Sequence, residues 1–165
     1  MLFDMITEKI KTQAELADIV KKERIFGKII GFTNGCFDIL HLGHVRYLND
    51  AKKECDLLIT AVNSDKSVRR LKGKQRPVNA QRARLEVLAA VECVDFLTLF
   101  DDDTPEALIK DLGPDILFKG GDWNEKDVVG SGHVKARGGK VRVLPYVAGY
   151  STTDLIKRIK TVSEV

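Results

Sequence analysis

The chain has 165 residues, of which 44% are hydrophobic and 31% charged, values typical of one folded globular domain. Its 27 basic and 24 acidic side chains leave a net charge of +3, which is too small to indicate a dedicated nucleic-acid-binding protein. The first twelve residues lack the apolar core of a signal peptide, and no apolar run is long enough to cross a membrane. Three cysteines without CxxC spacing predict free thiols, so we expect a cytoplasmic protein.

Apolar segments typical of strands alternate with amphipathic segments typical of helices. Strands are predicted at 28–32, 56–62, 96–100, 115–119 and 140–145. Helices are predicted at 11–24, 42–55, 78–90, 104–112, 130–139 and 151–162, with a polar, basic connection over 63–77. This alternation predicts the α/β class: a Rossmann-like, doubly wound five-stranded parallel sheet. We expect an N-terminal helical extension (1–27) followed by a single domain (28–165).

Capping patterns refine several helix boundaries. The sequences at 12–15 and 151–154 fit capping boxes, and Asn79 and Thr104 are predicted N-caps. The last helix is predicted to turn four apolar side chains toward the core: Leu155, Ile156, Ile159 and Val162.

The segment TNGCFDILHLGH, residues 33–44, has the features of an anion-binding site. It joins the first strand, predicted to end at Thr33, to the start of a helix, whose free N–H groups and partial positive charge attract anions. His41 and His44 can both donate hydrogen bonds to a phosphate. A zinc site is disfavoured because the third histidine, His133, is far away in sequence. A purely structural role stays open for the two histidines when their motif is considered alone.

Three segments together resemble the signatures of the cytidylyltransferase-like nucleotidyltransferases. They are T-x-G-x-F-D-x-x-H-x-G-H at 33–44, KGGDW at 119–123 and GYSTTDLI at 149–156. Within this family the chain is similar to the bacterial adenylyltransferases that make ADP-heptose, in the phrases TNGCFDILHLGHVRYL, RPVNAQRARLEVLAA and FKGGDW. The resemblance identifies 28–165 as a nucleotidyltransferase domain, and a length without room for a sugar-kinase domain fits a free-standing enzyme.

The resemblance implies a reaction and its participants. AMP would pass from ATP to D-glycero-β-D-manno-heptose 1-phosphate, giving ADP-heptose and pyrophosphate for lipopolysaccharide inner-core biosynthesis, with Mg²⁺ as cofactor. A sugar-phosphate oxygen would attack the α-phosphorus in line, so the protein positions groups and stabilises charge. Nucleic acid and membrane are not implied as partners, whereas a homo-oligomer, a dimer or larger, is expected.

The resemblance also implies roles for individual residues. His41 and His44 are catalytic candidates, together with Lys72 and Lys74, which would close on the phosphates as part of a mobile lid. Asp38 would orient a lysine or the acceptor, or bind Mg²⁺, and capping the next turn is its structural alternative. The nucleotide-binding candidates are Thr33, Asn34, Gly35, Phe37, Gly43, Arg82, Lys119, Gly120, Asp122, Trp123, Gly149, Ser151, Thr152 and Thr153.

Several of these residues also have structural alternatives. Trp123 would serve as a wall for the base or sugar, but it could instead fill the core. The basic run 66–76 could be a solvated loop, and Ser151 could simply cap a helix. We expect the side chain of Phe37 to pack in the core while its backbone contacts phosphate.

Two positions depart from the related glycerol-3-phosphate cytidylyltransferases, which carry arginines where this chain has Glu92 and Tyr146. Both departures argue against glycerol phosphate with CTP, and we hypothesise that Lys119 supplies the missing charge. A cytidylyltransferase for a polyol phosphate or another sugar phosphate stays open as an alternative. A non-catalytic nucleotide-binding sensor is the alternative from a different class of protein.

Overall fold

The computed structural model describes residues 7–121, 123–145, 147 and 149–162. Its five strands are β1 (Ile30–Gly35), β2 (Leu57–Asn63), β3 (Phe96–Phe100), β4 (Ile116–Gly120) and β5 (Lys140–Leu144). Its helices are α1 (Gln13–Ile25), α2 (Leu42–Lys52), α3 (Asp65–Lys72), α4 (Gln81–Ala89), α5 (Glu106–Leu112), α6 (Ser131–Ala136) and α7 (Thr152–Val162). A 3₁₀ turn at Glu125–Asp127 precedes α6.

All strand pairs are parallel, and the strand order is β3-β2-β1-β4-β5. The chain runs outward from β1 through β2 to β3, then returns to the other side of β1 at β4. The direction of winding therefore reverses between β1 and β4, which pair at Gly31 with Ile116 and at Phe32 with Leu117. Ligands of such sheets bind in the crevice beyond the strand carboxyl ends at this switch point. The predicted Rossmann-like fold is confirmed.

Both faces of the sheet are covered by helices, because the strands are apolar on both sides. On one face Phe32 and Ile59 pack with Leu16 and Val20 of α1. The other face carries Leu58, Val62 and Phe118, packed against helices α2 and α4 through Leu48 and Leu88. Burying one such side chain contributes about 1.5–3 kcal/mol, so these layers fix the positions of the strand ends.

Helix α1 packs into the same core as the rest of the fold. Its capping box is confirmed: Thr12 Oγ1 accepts from the backbone N–H of Glu15 at 3.2 Å, and the Glu15 carboxylate accepts from the backbone N–H of Thr12 at 2.7 Å. The preceding segment pairs with edge strand β3, where Lys11 N–H donates to the Leu97 carbonyl at 2.8 Å. The division into 1–27 and 28–165 stays a prediction.

Two predicted details of the first half of the chain differ from the structure. Strand β1 continues beyond Thr33 to Gly35, which brings the turn closer to the histidines. The predicted basic connection contains helix α3, which is capped where Ser64 Oγ accepts from the Ser67 N–H at 3.0 Å. The helix was missed because Ser67 and Val68 are its only buried residues and, apart from the exposed Leu71, the rest of its sequence is polar. A helix with so narrow an apolar stripe resembles a loop in sequence.

Two predicted N-caps and the orientation of the last helix were also wrong. Helix α4 has Ala80 at its N-cap, and Asn79 instead donates from its side chain to the Asp38 carbonyl at 2.7 Å. Helix α5 has Pro105 at its N-cap, so Thr104 lies one residue before it. No residue of α7 is buried, although four of its side chains were predicted to face the core.

None of the helices within the described ranges combines the length and the apolar character needed to cross a membrane.

Candidate active site

A cavity of about 790 Å³ opens beyond the carboxyl ends of the strands, at the switch point between β1 and β4. Most of the predicted site residues line it: Asn34, Gly35, Phe37, Asp38, His41, Gly43, His44, Lys72, Lys119, Gly120, Trp123, Gly149, Ser151, Thr152 and Thr153. They come from four separate segments of the chain, 34–44, 72, 119–123 and 149–153, and the parallel sheet brings those segments to one edge.

Three predicted residues lie away from the cavity wall. Thr33 is buried inside β1, where its hydroxyl and the Tyr47 hydroxyl are hydrogen-bonded at 2.6 Å. Lys74 is exposed beyond the end of α3. Arg82 is exposed on α4 and pairs with Glu86, with Nε 2.9 Å from Oε1. Asp122 and Tyr146, which the sequence also singled out, lie outside the described residues.

His41 and His44 form a stacked pair at the start of α2. His41 is the N-cap, with an extended backbone, and His44 lies in the first turn. Their ring centroids are 3.8 Å apart with an interplanar angle of 23°, and the Phe37 ring lies 5.2 Å from that of His44. Nδ1 of each histidine is buried and has no hydrogen-bond partner among the described residues.

Burial keeps this histidine pair uncharged. It lowers the pKa of His41 below its usual value, and it lowers the pKa of His44 to about 4, with a further contribution from the charge of His41. Both imidazoles are therefore neutral at neutral pH, and each has one N–H to donate. A neutral stacked pair can contact a triphosphate without the repulsion between two imidazolium ions.

Gly43 allows the start of α2 to approach the segment before α7. A Cβ at this position would lie 3.0 Å from ring atoms of His41 and 3.0 Å from the backbone carbonyl oxygen of Tyr150. Any larger side chain would push the two segments apart. The glycine between the two histidines therefore brings two helix N-termini to the same cavity.

Helix α7 begins at the cavity with a capping box. Ser151 Oγ accepts from the backbone N–H of Asp154 at 3.0 Å and donates to the Asp154 carboxylate at 2.7 Å. Thr152 and Thr153 form the first turn and line the cavity. The N–H groups of this turn and the positive end of the helix dipole favour an anion.

Two lysines add positive charge to the cavity. Lys119 at the end of β4 has Nζ 5.4 Å from the ring centroid of Trp123, within the range of a cation–π contact. Burial, and secondarily the charge of Lys72, lowers the pKa of Lys119. Trp123 itself is 49% exposed, so it forms a wall of the cavity and does not fill the core. Lys72 reaches the cavity from the end of α3.

Asp38 fixes the loop that precedes α4. Its Oδ1 accepts from the backbone N–H groups of Val78 at 2.7 Å and Asn79 at 3.0 Å, and its Oδ2 accepts from Arg76 Nε. Burial alone would raise the pKa of this carboxyl, but the two N–H groups and Arg76 lower it below its usual value. The carboxylate is ionised and bound by three donors, so it joins the loop after β1 to the segment that follows α3.

The sequence interpretation missed Arg84, whose side chain is fully buried. Its guanidinium donates to the backbone carbonyls of Cys36, Asn63 at 2.8 Å and Asn79 at 3.1 Å, and it pairs with Asp65 at 2.9 Å. These four acceptors belong to the segment after β1, the end of β2, the start of α3 and the segment before α4. One feature of the sequence could have indicated that Arg84 is buried. It lies four residues before the apolar Leu88, and residues four apart share a face of a helix.

The described residues hold no cluster of three or more His, Cys, Asp or Glu side chains that could bind a metal ion. The three cysteines Cys36, Cys55 and Cys93 are free, as the sequence predicted. Burial raises the pKa of the Cys36 thiol, which therefore stays protonated at the cavity wall.

A parallel sheet with a switch-point cavity, a histidine pair at one helix start and a second helix N-terminus define a nucleotide-binding domain. The chain belongs to the cytidylyltransferase-like family, whose model matches residues 32–158. The predicted family and enzyme class, a nucleotidyltransferase, are confirmed.

Two relatives extend this similarity over nearly the whole chain. The bifunctional protein HldE of Geotalea uraniireducens is 51% identical over 155 residues, which are 94% of this chain and 32% of that protein. The bifunctional protein HldE of Granulibacter bethesdensis is 50% identical over 157 residues, or 95% of this chain and 32% of that protein. The chain thus spans about a third of the length of these relatives.

Two solved structures share the fold. A lipopolysaccharide core biosynthesis protein from Thermoplasma volcanium superposes with a TM-score of 0.60 at 29% identity, covering 73% of this chain and 98% of that one. A pantoate-beta-alanine ligase from Francisella tularensis has a TM-score of 0.56 at 18% identity, covering 94% of this chain and 78% of that one. The second similarity concerns the fold alone.

Proposed function

We propose that the chain transfers AMP from ATP to D-glycero-β-D-manno-heptose 1-phosphate, releasing ADP-heptose and pyrophosphate for lipopolysaccharide inner-core biosynthesis. The observation that carries this proposal is the anion site where the His41–His44 pair and the N-termini of α2 and α7 meet. Similarity to the bifunctional HldE proteins and to a lipopolysaccharide core biosynthesis protein supports the choice of acceptor.

In the proposed reaction a phosphate oxygen of the acceptor attacks the α-phosphorus of ATP. The new O–P bond forms opposite the bond that joins the α-phosphorus to the oxygen bridging to the β-phosphate. That second bond breaks, and the bridging oxygen leaves as part of pyrophosphate. His41 and His44 donate N–H groups to the phosphate oxygens as negative charge grows on them. The N-terminus of α7 holds the β- and γ-phosphates, and hence the leaving group. Losing one such donor costs about 10²–10³ in rate.

The remaining lining residues hold the nucleotide in place. We expect the backbone at Asn34, Gly35 and Phe37 to contact the α-phosphate, because these residues line the cavity, while the Phe37 side chain packs in the core. Lys72 and Lys119 neutralise phosphate charge, with Lys119 in the role of the arginines present in the glycerol-phosphate enzymes. The contacts expected of Lys74, Arg82 and Asp122, and the motion of a lid, stay predictions.

Mg²⁺ would enter as the counter-ion of ATP. Magnesium typically binds through substrate phosphates and water with one or two carboxylates. Asp38, the carboxylate that the sequence offered, does not fit this role well, because its oxygens already accept from Arg76, Val78 and Asn79. We therefore assign Asp38 to positioning the loop and not to binding the metal. A cytoplasmic homo-oligomer is part of the same proposal.

Pyrophosphate release from a panel of nucleotides and sugar phosphates tests this function. We expect turnover with ATP and heptose 1-phosphate, and little with CTP or glycerol 3-phosphate. His41→Ala should lower kcat about 10²–10³-fold with a smaller change in ATP affinity. His133→Ala is the matched control, because this histidine lies on α6 beside Glu106, at 3.3 Å, outside the cavity lining. A wild-type protein that binds ATP but turns over no acceptor in the panel would be a sensor, and the proposal would be wrong.

A further inference from the structure

The cavity extends past the phosphate site toward β2 and β3. On that side its wall consists of Asp103, Thr104 and Pro105, which follow β3, together with Leu71 and Lys72 of α3. The N-terminus of α7 and Trp123 line the cavity on the side of β4 and β5. Because β1 lies between these two sides of the sheet, a nucleotide held on one side leaves Asp103, Thr104 and Pro105 free for a second substrate.

Asp103 offers an open acceptor on that wall. Its Oδ1 accepts from Arg70 Nε at 2.6 Å, and no hydrogen bond to Oδ2 is found among the residues that the structure describes. Its side chain is 65% exposed. Arg70 also donates to the Asp101 backbone carbonyl, so the guanidinium is held at two points and fixes the direction of the Asp103 carboxylate.

The cavity wall carries two other described carboxylates, and neither combines a free oxygen with a place on the β2–β3 side. Asp38 accepts three hydrogen bonds, and Asp154 is bound to Ser151 in the first turn of α7, beside the proposed triphosphate. Asp101 and Asp102, which precede Asp103 in the chain, are not part of the lining. Asp103 is thus the carboxylate with a free oxygen that faces the unassigned side of the cavity.

We propose that Asp103 is a specificity-determining residue for the acceptor, accepting hydrogen bonds from hydroxyl groups of a polyhydroxylated sugar phosphate whose phosphate lies toward Lys72. This inference rests on the proposed function and deepens it. An ionised carboxylate only accepts hydrogen bonds, and sugar hydroxyls are donors that match it. Such charge-assisted bonds are stronger than neutral ones. The carboxylate would repel the acceptor's phosphate, and this repulsion orients the sugar with its hydroxyls toward Asp103 and its phosphate toward the lysine.

A site that binds a hydroxyl discriminates strongly against an analogue that lacks it, because the polar group of the protein is then left unpaired. Asp103→Asn keeps the shape of the side chain and an oxygen that can accept from Arg70, but it removes the charge. The matched control is Asp102→Asn, which removes the same charge one residue away, outside the cavity lining. Any effect of net charge alone should appear equally in both variants.

The experiment measures steady-state kinetics of wild type, Asp103→Asn and Asp102→Asn with ATP and heptose 1-phosphate, and with a set of monodeoxy heptose 1-phosphates. We expect Asp103→Asn to raise the acceptor KM about tenfold with an unchanged ATP KM, and Asp102→Asn to match wild type. Wild type should lose about tenfold in kcat/KM on at least one deoxy analogue. Asp103→Asn should no longer discriminate against that analogue.

Three results would overturn the inference. One is an acceptor KM that Asp103→Asn leaves within twofold of wild type. Another is an equal change in the ATP KM together with a lower melting temperature, which indicates a structural role for the Arg70–Asp103 pair. The third is a penalty for Asp103→Asn that is the same on every deoxy analogue. These outcomes are distinct from failure of the proposed function, which appears in the wild-type protein as absence of turnover with heptose 1-phosphate.

Discussion

Replacing Arg84 with methionine should destabilise the protein far more than the same change at Arg82. Both arginines lie on α4, two residues apart, but the Arg84 side chain is fully buried while that of Arg82 is 86% exposed. The two substitutions remove the same charge and leave similar volumes. The comparison therefore isolates what burial and hydrogen bonding contribute.

The magnitude follows from the acceptors that Arg84 satisfies. Its guanidinium donates to three backbone carbonyls and pairs with Asp65, whose side chain is 21% exposed. Breaking a buried pair from one side costs about 3–5 kcal/mol, because the remaining partner is left without compensation. Carbonyls that water cannot reach add to this loss. For Arg82, which forms a surface pair with Glu86, we expect a loss of at most about 0.5 kcal/mol.

Urea unfolding followed by circular dichroism measures both losses. A domain is typically stable by about 5–15 kcal/mol, so Arg84→Met removes a large part of the total. With an m-value of about 2 kcal/mol/M, a loss of 4 kcal/mol moves the midpoint down by about 2 M. Equal midpoints for Arg84→Met and Arg82→Met would refute the reasoning, as would a loss below about 1 kcal/mol for Arg84→Met.

Three further predictions concern the cavity. Gly43→Ala should lower kcat by about tenfold or more, because the added Cβ pushes against the Tyr150 carbonyl and shifts the histidine pair. Gly132→Ala is the control and should keep full activity, because the space around its added Cβ is open. The free energy of unfolding should fall by up to about 3 kcal/mol as pH falls from 6.5 to about 4, because the unfolded chain protonates His44 in this range and the folded chain does not. Urea titrations at several pH values should find that this free energy depends less on pH in His44→Asn. The same pH dependence in the variant and the wild type would contradict this assignment. Asp38→Asn should lower the free energy of unfolding by about 2–3 kcal/mol in urea titrations, because the NH₂ group of the new amide would face N–H donors that the carboxylate oxygens accept from. A loss near zero would show that the Val78 N–H finds another acceptor.

Much of the fold was predictable because the signals are local. The strands are apolar on both faces, and short segments between them carry helix signals, which together indicate a parallel sheet. The capping boxes at Thr12 and Ser151 were also visible, because their partners lie three residues away. The same holds for His41 and His44, whose spacing places one at the N-cap and the other in the first turn of α2.

Contacts between distant segments were not predictable from the sequence. Asp38 is bound by residues 38 to 41 positions away, and Arg84 reaches Cys36 across 48 positions. The motif match pointed to Arg82, whose phosphate contact stays a prediction and whose side chain is on the exposed face of α4, and it did not point to the buried Arg84. Only the packing of α4 on the sheet decides which arginine is buried, and that packing depends on side chains from both elements.

The last helix shows what an amphipathic pattern does and does not predict. Leu155, Ile156, Ile159 and Val162 do share a face of α7, as the spacing indicated. The pattern specifies that the helix has an apolar side, but it does not specify which surface covers that side. In the single chain Ile159 is 53% exposed and Val162 is 73% exposed. The beginning of α7 is fixed at the cavity by the capping box and by the close approach of Gly43 to the Tyr150 carbonyl. The N-terminal turn of a helix can thus serve an active site even where its apolar face is not part of the core.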